Sequence, residues 1–225
     1  MDINHSRRRS RGSLRALALN RAGRLTRGFT LIELLVVTAI IVIITGVILA
    51  DNNRFGGVVQ LQNLAYDVAL SIREAQVYGI SVAGLGASGN PFGSGYGMHF
   101  DVSTPQQYEL FTDTAGSGIY APSESIPPSP YAIESGYKIE ALCVTPSGGA
   151  ENCSAGKLDV VFKRPEPDAW ISASVNGSET SCINNNAACE SCARIVLMSP
   201  RGDLISVVVG SNGQISVGTA AQCDL

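Results

Sequence analysis

The chain has 225 residues, 45% apolar and 16% charged, with 24 glycines and 6% aromatics, which excludes a disordered or collagen-like polymer. It leaves one domain with appendages, richer in strands and loops than a helical bundle. The net charge of −3 hides an asymmetry: residues 1–28 hold eight arginines and one acid, Asp2, while the remainder holds eight Lys/Arg against eighteen Asp/Glu, a net of −10.

Residues 1–28 read as a basic address segment rather than a nucleic-acid-binding tail, because an apolar run follows at once. That run, residues 29–50, is FTLIELLVVTAIIVIITGVILA, twenty-two residues with a single ionisable group, Glu33. As a helix it extends roughly 33 Å, enough for a hydrocarbon core of about 30 Å. The arginines before it place residues 1–28 in the cytoplasm and the body outside. A secretory signal cut after Ala50 fits poorly, since such signals have apolar regions of about 7–15 residues. A plain anchor gains nothing from a carboxylate that costs on the order of 3 kcal/mol at mid-bilayer and less near an end.

Glu33 therefore calls for a cation, and residues 29–50 contain no Lys, Arg or His. Cleavage between Gly28 and Phe29 frees an α-ammonium at Phe29, four residues before Glu33 and on the same face of a helix. An adjacent copy, shifted along its axis, offers the same ammonium to Glu33, and charge pairing in low dielectric then sets the stagger between subunits.

The stretch Arg27-Gly28-Phe29-Thr30-Leu31-Ile32-Glu33-Leu34-Leu35 and the apolar sequence after it resemble the processing and methylation motif of type IV prepilins and pseudopilins. The resemblance implies that a membrane prepilin peptidase/methyltransferase cuts after Gly28 and methylates Phe29, and that Glu33 acts in assembly. It also implies partners: other pilin or pseudopilin subunits and an inner-membrane assembly platform. The motif covers only residues 26–50.

Beyond the run, Asp51 to Gly57 is polar and carries two glycines, so the helix is predicted to weaken near residues 52–57. Residues 51–81 then resume a helical pattern, with Leu61, Leu64/Ala65, Val68, Ile72 and Ala75 on one face, expected to pack on a sheet of the same chain. Residues 82–225 form the predicted β-rich extracytoplasmic domain. Strands are expected at Gly95–Val102, Gln107–Thr112, Tyr137–Val144, Lys157–Arg164, Trp170–Val175, Arg194–Met198, Leu204–Val209 and Gln214–Val217. Pro200-Arg201-Gly202-Asp203 and Gly210-Ser211-Asn212-Gly213 read as hairpin turns of a closing meander. The loops Ala83–Ser94, Ala115–Pro130 and Ser172–Cys192 are long, the second expected to run extended. The predicted class is α+β, a long N-terminal helix packed on an antiparallel sheet. The order of helix, GYGMHFD strand and final hairpin is similar to H-type minor pseudopilins and FimT-like minor pilins.

All six cysteines, Cys143, Cys153, Cys182, Cys189, Cys192 and Cys223, follow the membrane segment and are disulfide candidates for an oxidising compartment. Cys143–Cys153 can close a short loop between strands, and Cys223 then needs a distant partner among Cys182, Cys189 and Cys192. The spacing Cys182-x6-Cys189-x2-Cys192 is a weak zinc match without a fourth ligand, and no metal or cofactor is predicted. Calcium among loop acids has no supporting EF-type spacing.

No nucleophile elbow or phosphate loop is visible, and the chain is not expected to be an enzyme. His99 reads as a strand residue, and Glu109 with Asp113, or Glu166 with Asp168, as solvated charges. The expected function is a minor pilin or pseudopilin subunit of a type II secretion pseudopilus or type IV pilus-like fibre, in the inner membrane before assembly. The alternative is a pilus-tip binding module, an adhesin or a DNA-uptake receptor. The DNA version needs Lys157, Lys163, Arg164, Arg194 and Arg201 to cluster against an acidic background, so nucleic acid is not an expected partner.

Overall fold

The computed structural model describes residues 28–81, 94–134, 136–184 and 189–219, without the side chains of residues 50–55. The expectations for the arginines of residues 1–27, for most of the Ala83–Ser94 loop and for Cys223 lie outside the described residues. The chain divides into two compact units between Val47 and Ile48, taken separately below.

Helix α1 runs over Leu31–Ile80. The predicted weakness at residues 52–57 is not found: these residues keep helical backbone. Two adjacent glycines cost only about 1 kcal/mol each in propensity, and the flanking segments are strong enough to carry the helix through.

In the first unit the apolar side chains of α1 point outward; the stretch Leu31–Leu49, which ends two residues past that unit, is long and apolar enough to cross a membrane, at mean hydropathy 2.9. Thr38 Oγ1 donates to Leu35 O at 3.0 Å, so its hydroxyl is satisfied within the helix.

In the second unit α1 buries Leu61, Ala65, Val68, Ile72 and Ala75, steps of four and three residues that keep one face inward. Leu64 is only partly buried at the margin of that face. Gly79 continues the face, and a Cβ there would lie 2.5 Å from Phe162 O, so only glycine lets the helix end approach the sheet.

Among the described residues the sheet has ten strands: β1 Gly95–Asp101, β2 Gln107–Asp113, β3 Tyr131–Ala132, β4 Lys138–Pro146, β5 Asn152–Phe162, β6 Ala169–Val175, β7 Ser178–Thr180, β8 Glu190–Met198, β9 Leu204–Gly210 and β10 Ile215–Gly218. The order is β10-β9-β8-β4-β5-β1-β2-β3, with β6 on β5 and β7 on β6. β5 is the branch point. Its Lys157–Phe162 half pairs with β1 on one side and β6 on the other, while Ala155 and Asn152 pair with β4. The β8-β9-β10 meander matches the expected one.

Alternation splits the side chains into two layers. Tyr96, Met98 and Phe100 of β1, Leu158, Val160 and Phe162 of β5, and Val207 and Val209 of β9 join the helix face in one core. His99, Phe111, Asp159, Val161 and Ser172 are buried on the opposite face. That second layer is closed by the segment after β2. Asp113 accepts from the backbone N–H of Ser117 and Gly118, and Glu124 from Thr114 and Ala115, which curl Ala115–Pro130 instead of leaving it extended. A short 3₁₀ turn at Pro122–Glu124 sits within it.

Candidate processing and assembly site

Gly28 and Phe29 precede the helix, with Phe29 83% exposed. Thr30 is the cap. Its Oγ1 accepts the N–H of Glu33 at 3.2 Å, and its carbonyl accepts the N–H of Leu34 at 3.1 Å. Thr30-Leu31-Ile32-Glu33 is therefore a capping-box sequence, a signal carried by the residues themselves and separate from the charge of Glu33. The helix starting at Leu31 also corrects the expectation that Phe29 and Glu33 share a helical face, because Phe29 lies outside the helix. The two residues are still neighbours: Gly28, Phe29, Thr30 and Glu33 line one open notch of about 620 Å³. Glu33 in the first turn meets the positive end of the helix dipole, a favourable place for a carboxylate.

Residues 23–49 match the family described as the prokaryotic N-terminal methylation motif. The chain carries the N-terminal motif of the type IV pilin-like family. The matched stretch takes in Gly28, Phe29, Glu33 and the apolar helix, and no more of the chain. No curated protein and no solved structure matches the chain.

Elsewhere in the chain, several of the residues considered for chemistry are tied into structure. His99 Nδ1 lies 2.7 Å from Asp159 Oδ1, with both side chains nearly buried. The Tyr120 ring stacks on His99 at 4.3 Å, and its hydroxyl donates to Glu109. Burial pushes the Asp159 carboxyl above its ordinary range, against the opposing hydrogen bond from His99. Asp113 is a loop cap, not a partner of Glu109. Glu166 and Asp168 are exposed. Of the basic residues, Lys157 and Arg201 are exposed, while Arg194 is held by Glu151 through Nε and Nη2, each at 2.8 Å.

Cys143 is bonded to Cys153, and Cys182 to Cys189. Cys192 is disulfide-bonded as well. Two of the three thiols in the Cys182-x6-Cys189-x2-Cys192 spacing are thus joined to each other, which removes the zinc reading of that spacing.

Proposed function

We propose that the chain is a minor pilin or pseudopilin subunit, a structural component and not an enzyme. Prepilin peptidase cuts between Gly28 and Phe29 and methylates Phe29. The product then enters a type II secretion pseudopilus or type IV pilus-like fibre. Before assembly it sits in the inner membrane with residues 1–28 in the cytoplasm. The observation that carries this reading is an outward-facing apolar helix, Leu31–Leu49, whose one charged group stands at its third residue, inside the matched motif. Burial of that helix against neighbouring subunits supplies cohesion, and Glu33 paired with a neighbour's Phe29 ammonium supplies register. Heterologous contacts of this kind build open-ended fibres.

The test is mass spectrometry of the protein from its native membranes and from sheared fibres. The expected species begins at N-methylated Phe29. A polypeptide intact through its arginine-rich start, or beginning after Ala50, overturns the proposal.

A further inference from the structure

The Cys143–Cys153 bond stands apart from an ordinary structural crosslink in what surrounds it. It joins β4 to β5 where their pairing is thinnest, at Leu142↔Ala155 and Val144↔Asn152 with an irregularity between. Its two cysteines are unequal: Cys143 is 1% exposed, whereas residue Cys153 is exposed. Arg194, opposite Cys143 in the β4–β8 register, brings Nη2 to 3.4 Å from Cys143 Sγ and 3.5 Å from Cys153 Sγ. The guanidinium is fixed there by Glu151 at 2.8 Å and by Ser206 at 3.4 Å from Nη1.

A neutral disulfide gains little from a cation, but a departing thiolate gains much. A cationic neighbour lowers a thiol's pKa, and a thiol of lower pKa leaves faster. We propose that Cys143–Cys153 is a thiol-exchange site, open to low-molecular-weight thiols and to exposed cysteines of partner proteins. An incoming thiolate attacks the sulfur of Cys153, the exposed residue of the pair. The new S–S bond forms there as the Cys153–Cys143 bond breaks, and its electron pair stays on Cys143 as a thiolate held by Arg194 Nη2. The product is a mixed disulfide at Cys153 and one free thiolate at Cys143. A second thiol attacking the mixed disulfide completes the reduction, itself leaving as the oxidised dimer. Glu151 tempers the effect by sharing the guanidinium's charge.

The experiment uses the full chain in detergent micelles with reduced glutathione as the probe, acid quench, alkylation and peptide mass mapping. The first adduct is expected on Cys153, with Cys143 alkylated. Arg194→Met should slow its formation about tenfold, the loss of roughly one charge-assisted hydrogen bond in the transition state, and Arg194→Lys should restore part of the rate. A purely structural arginine predicts the opposite sign, because removing its clamp loosens the hairpin and speeds attack. Glutathione appearing first on Cys143, Cys182 or Cys189, or an Arg194→Met rate equal to or above wild type, overturns the proposal. Should Arg194→Met fail to fold, the pH dependence of Cys143 alkylation in the wild-type chain carrying the glutathione mixed disulfide at Cys153 decides. Alkylation that persists well below the ordinary thiol pKa supports the assignment, and an ordinary profile defeats it.

Discussion

Thr30 Oγ1 accepts the backbone N–H of Glu33 at 3.2 Å, so the residue that caps the apolar helix is bonded to the residue that carries its charge. Glu33 thus has two separable contributions. A carboxylate in a first turn is favoured by about 0.3–1 kcal/mol through the helix dipole. Immersion in the bilayer costs up to roughly 3 kcal/mol, less near its edge, so the local term offsets only part of it. On the proposed reading, the remainder drives Glu33 toward a cation on a neighbouring subunit. Glu33→Gln keeps the size and the backbone cap but removes the charge; membrane insertion and cleavage should persist while incorporation into sheared fibres falls severalfold. Thr30→Val removes the cap, at about 1 kcal/mol, and should leave incorporation near normal. The ratio of fibre to membrane protein on a blot measures both. Equal losses for the two variants would sink the charge argument.

How far the residues themselves disclose this structure varies by segment. The inward face of α1 is plain from the spacing of Leu61, Ala65, Val68, Ile72 and Ala75, because the helical period is regular, even though Val59, Tyr66, Leu70 and Val77 leave apolar side chains on the exposed face. β1, β2, β6 and the β8-β9-β10 meander are plain as short runs between turn signals; burial on both faces, as in β1 and β9, leaves no polar alternation to read. The first half of β5, Asn152-Cys153-Ser154-Ala155-Gly156, is not: it lacks β-branched and aromatic residues, and its extended form is imposed by pairing with β4 and by the Cys143–Cys153 bond. The three-residue β7 and two-residue β3 are likewise set by their neighbours. At the processing site the residues named Gly28, Phe29 and Glu33. The cap role of Thr30 is carried by the Thr30-x-x-Glu33 spacing, a local signal independent of charge. The Arg194–Glu151 pair beside a disulfide depends on strand register, which local sequence does not carry.

Gly79 and Gly56 lie on the same helix and should respond to alanine with opposite sign. An added methyl at Gly79 meets Phe162 O at 2.5 Å and Phe162 Cβ at 2.8 Å, whereas nothing lies within 4 Å at Gly56. Overpacking of this kind costs about 1–3 kcal/mol, and alanine's better helix propensity returns only about 1 kcal/mol. Gly79→Ala should therefore destabilise the second unit, and Gly56→Ala should stabilise it by roughly 0.5–1 kcal/mol. Urea unfolding of the full chain in detergent, followed by the fluorescence of its single tryptophan, Trp170, reads both. A neutral Gly79→Ala would mean that the helix end does not approach β5 as described.

Gln76 fastens the helix to two loops at once. Its Nε2 donates to Pro167 O at 2.9 Å and Gly213 O at 3.1 Å, its Oε1 accepts from Arg73, and the residue is 4% exposed. Gln76→Leu keeps the volume but leaves two carbonyls without this donor. An unsatisfied buried group costs about 1–3 kcal/mol, so a loss of roughly 2–3 kcal/mol is expected with an unchanged denaturant slope. A loss under about 0.5 kcal/mol, the scale of an ordinary surface substitution, would show that water replaces the amide freely.

Tyr120 gives the second buried layer an alkaline signature. Burial, then its hydrogen bond to Glu109, pushes the phenol from 10.0 to about 12. Tyr131 also rises to about 12, through burial and the charge of Glu74, whose Oε2 accepts its hydroxyl at 3.2 Å. Both groups hold their proton more tightly folded than unfolded. The stability they contribute is complete below pH 10 and is lost as pH climbs from 10.0 toward about 12. Tyrosinate absorbance titration of the full chain should show late-ionising phenols among the seven tyrosines, and Tyr120→Phe should delete one from the latest part of the curve. The same variant should also decline less steeply in stability over that alkaline window. If Tyr120→Phe instead removes a phenol that ionises at the ordinary value, the ring is not held against His99 and Glu109, and the segment after β2 does not close that face of the sheet.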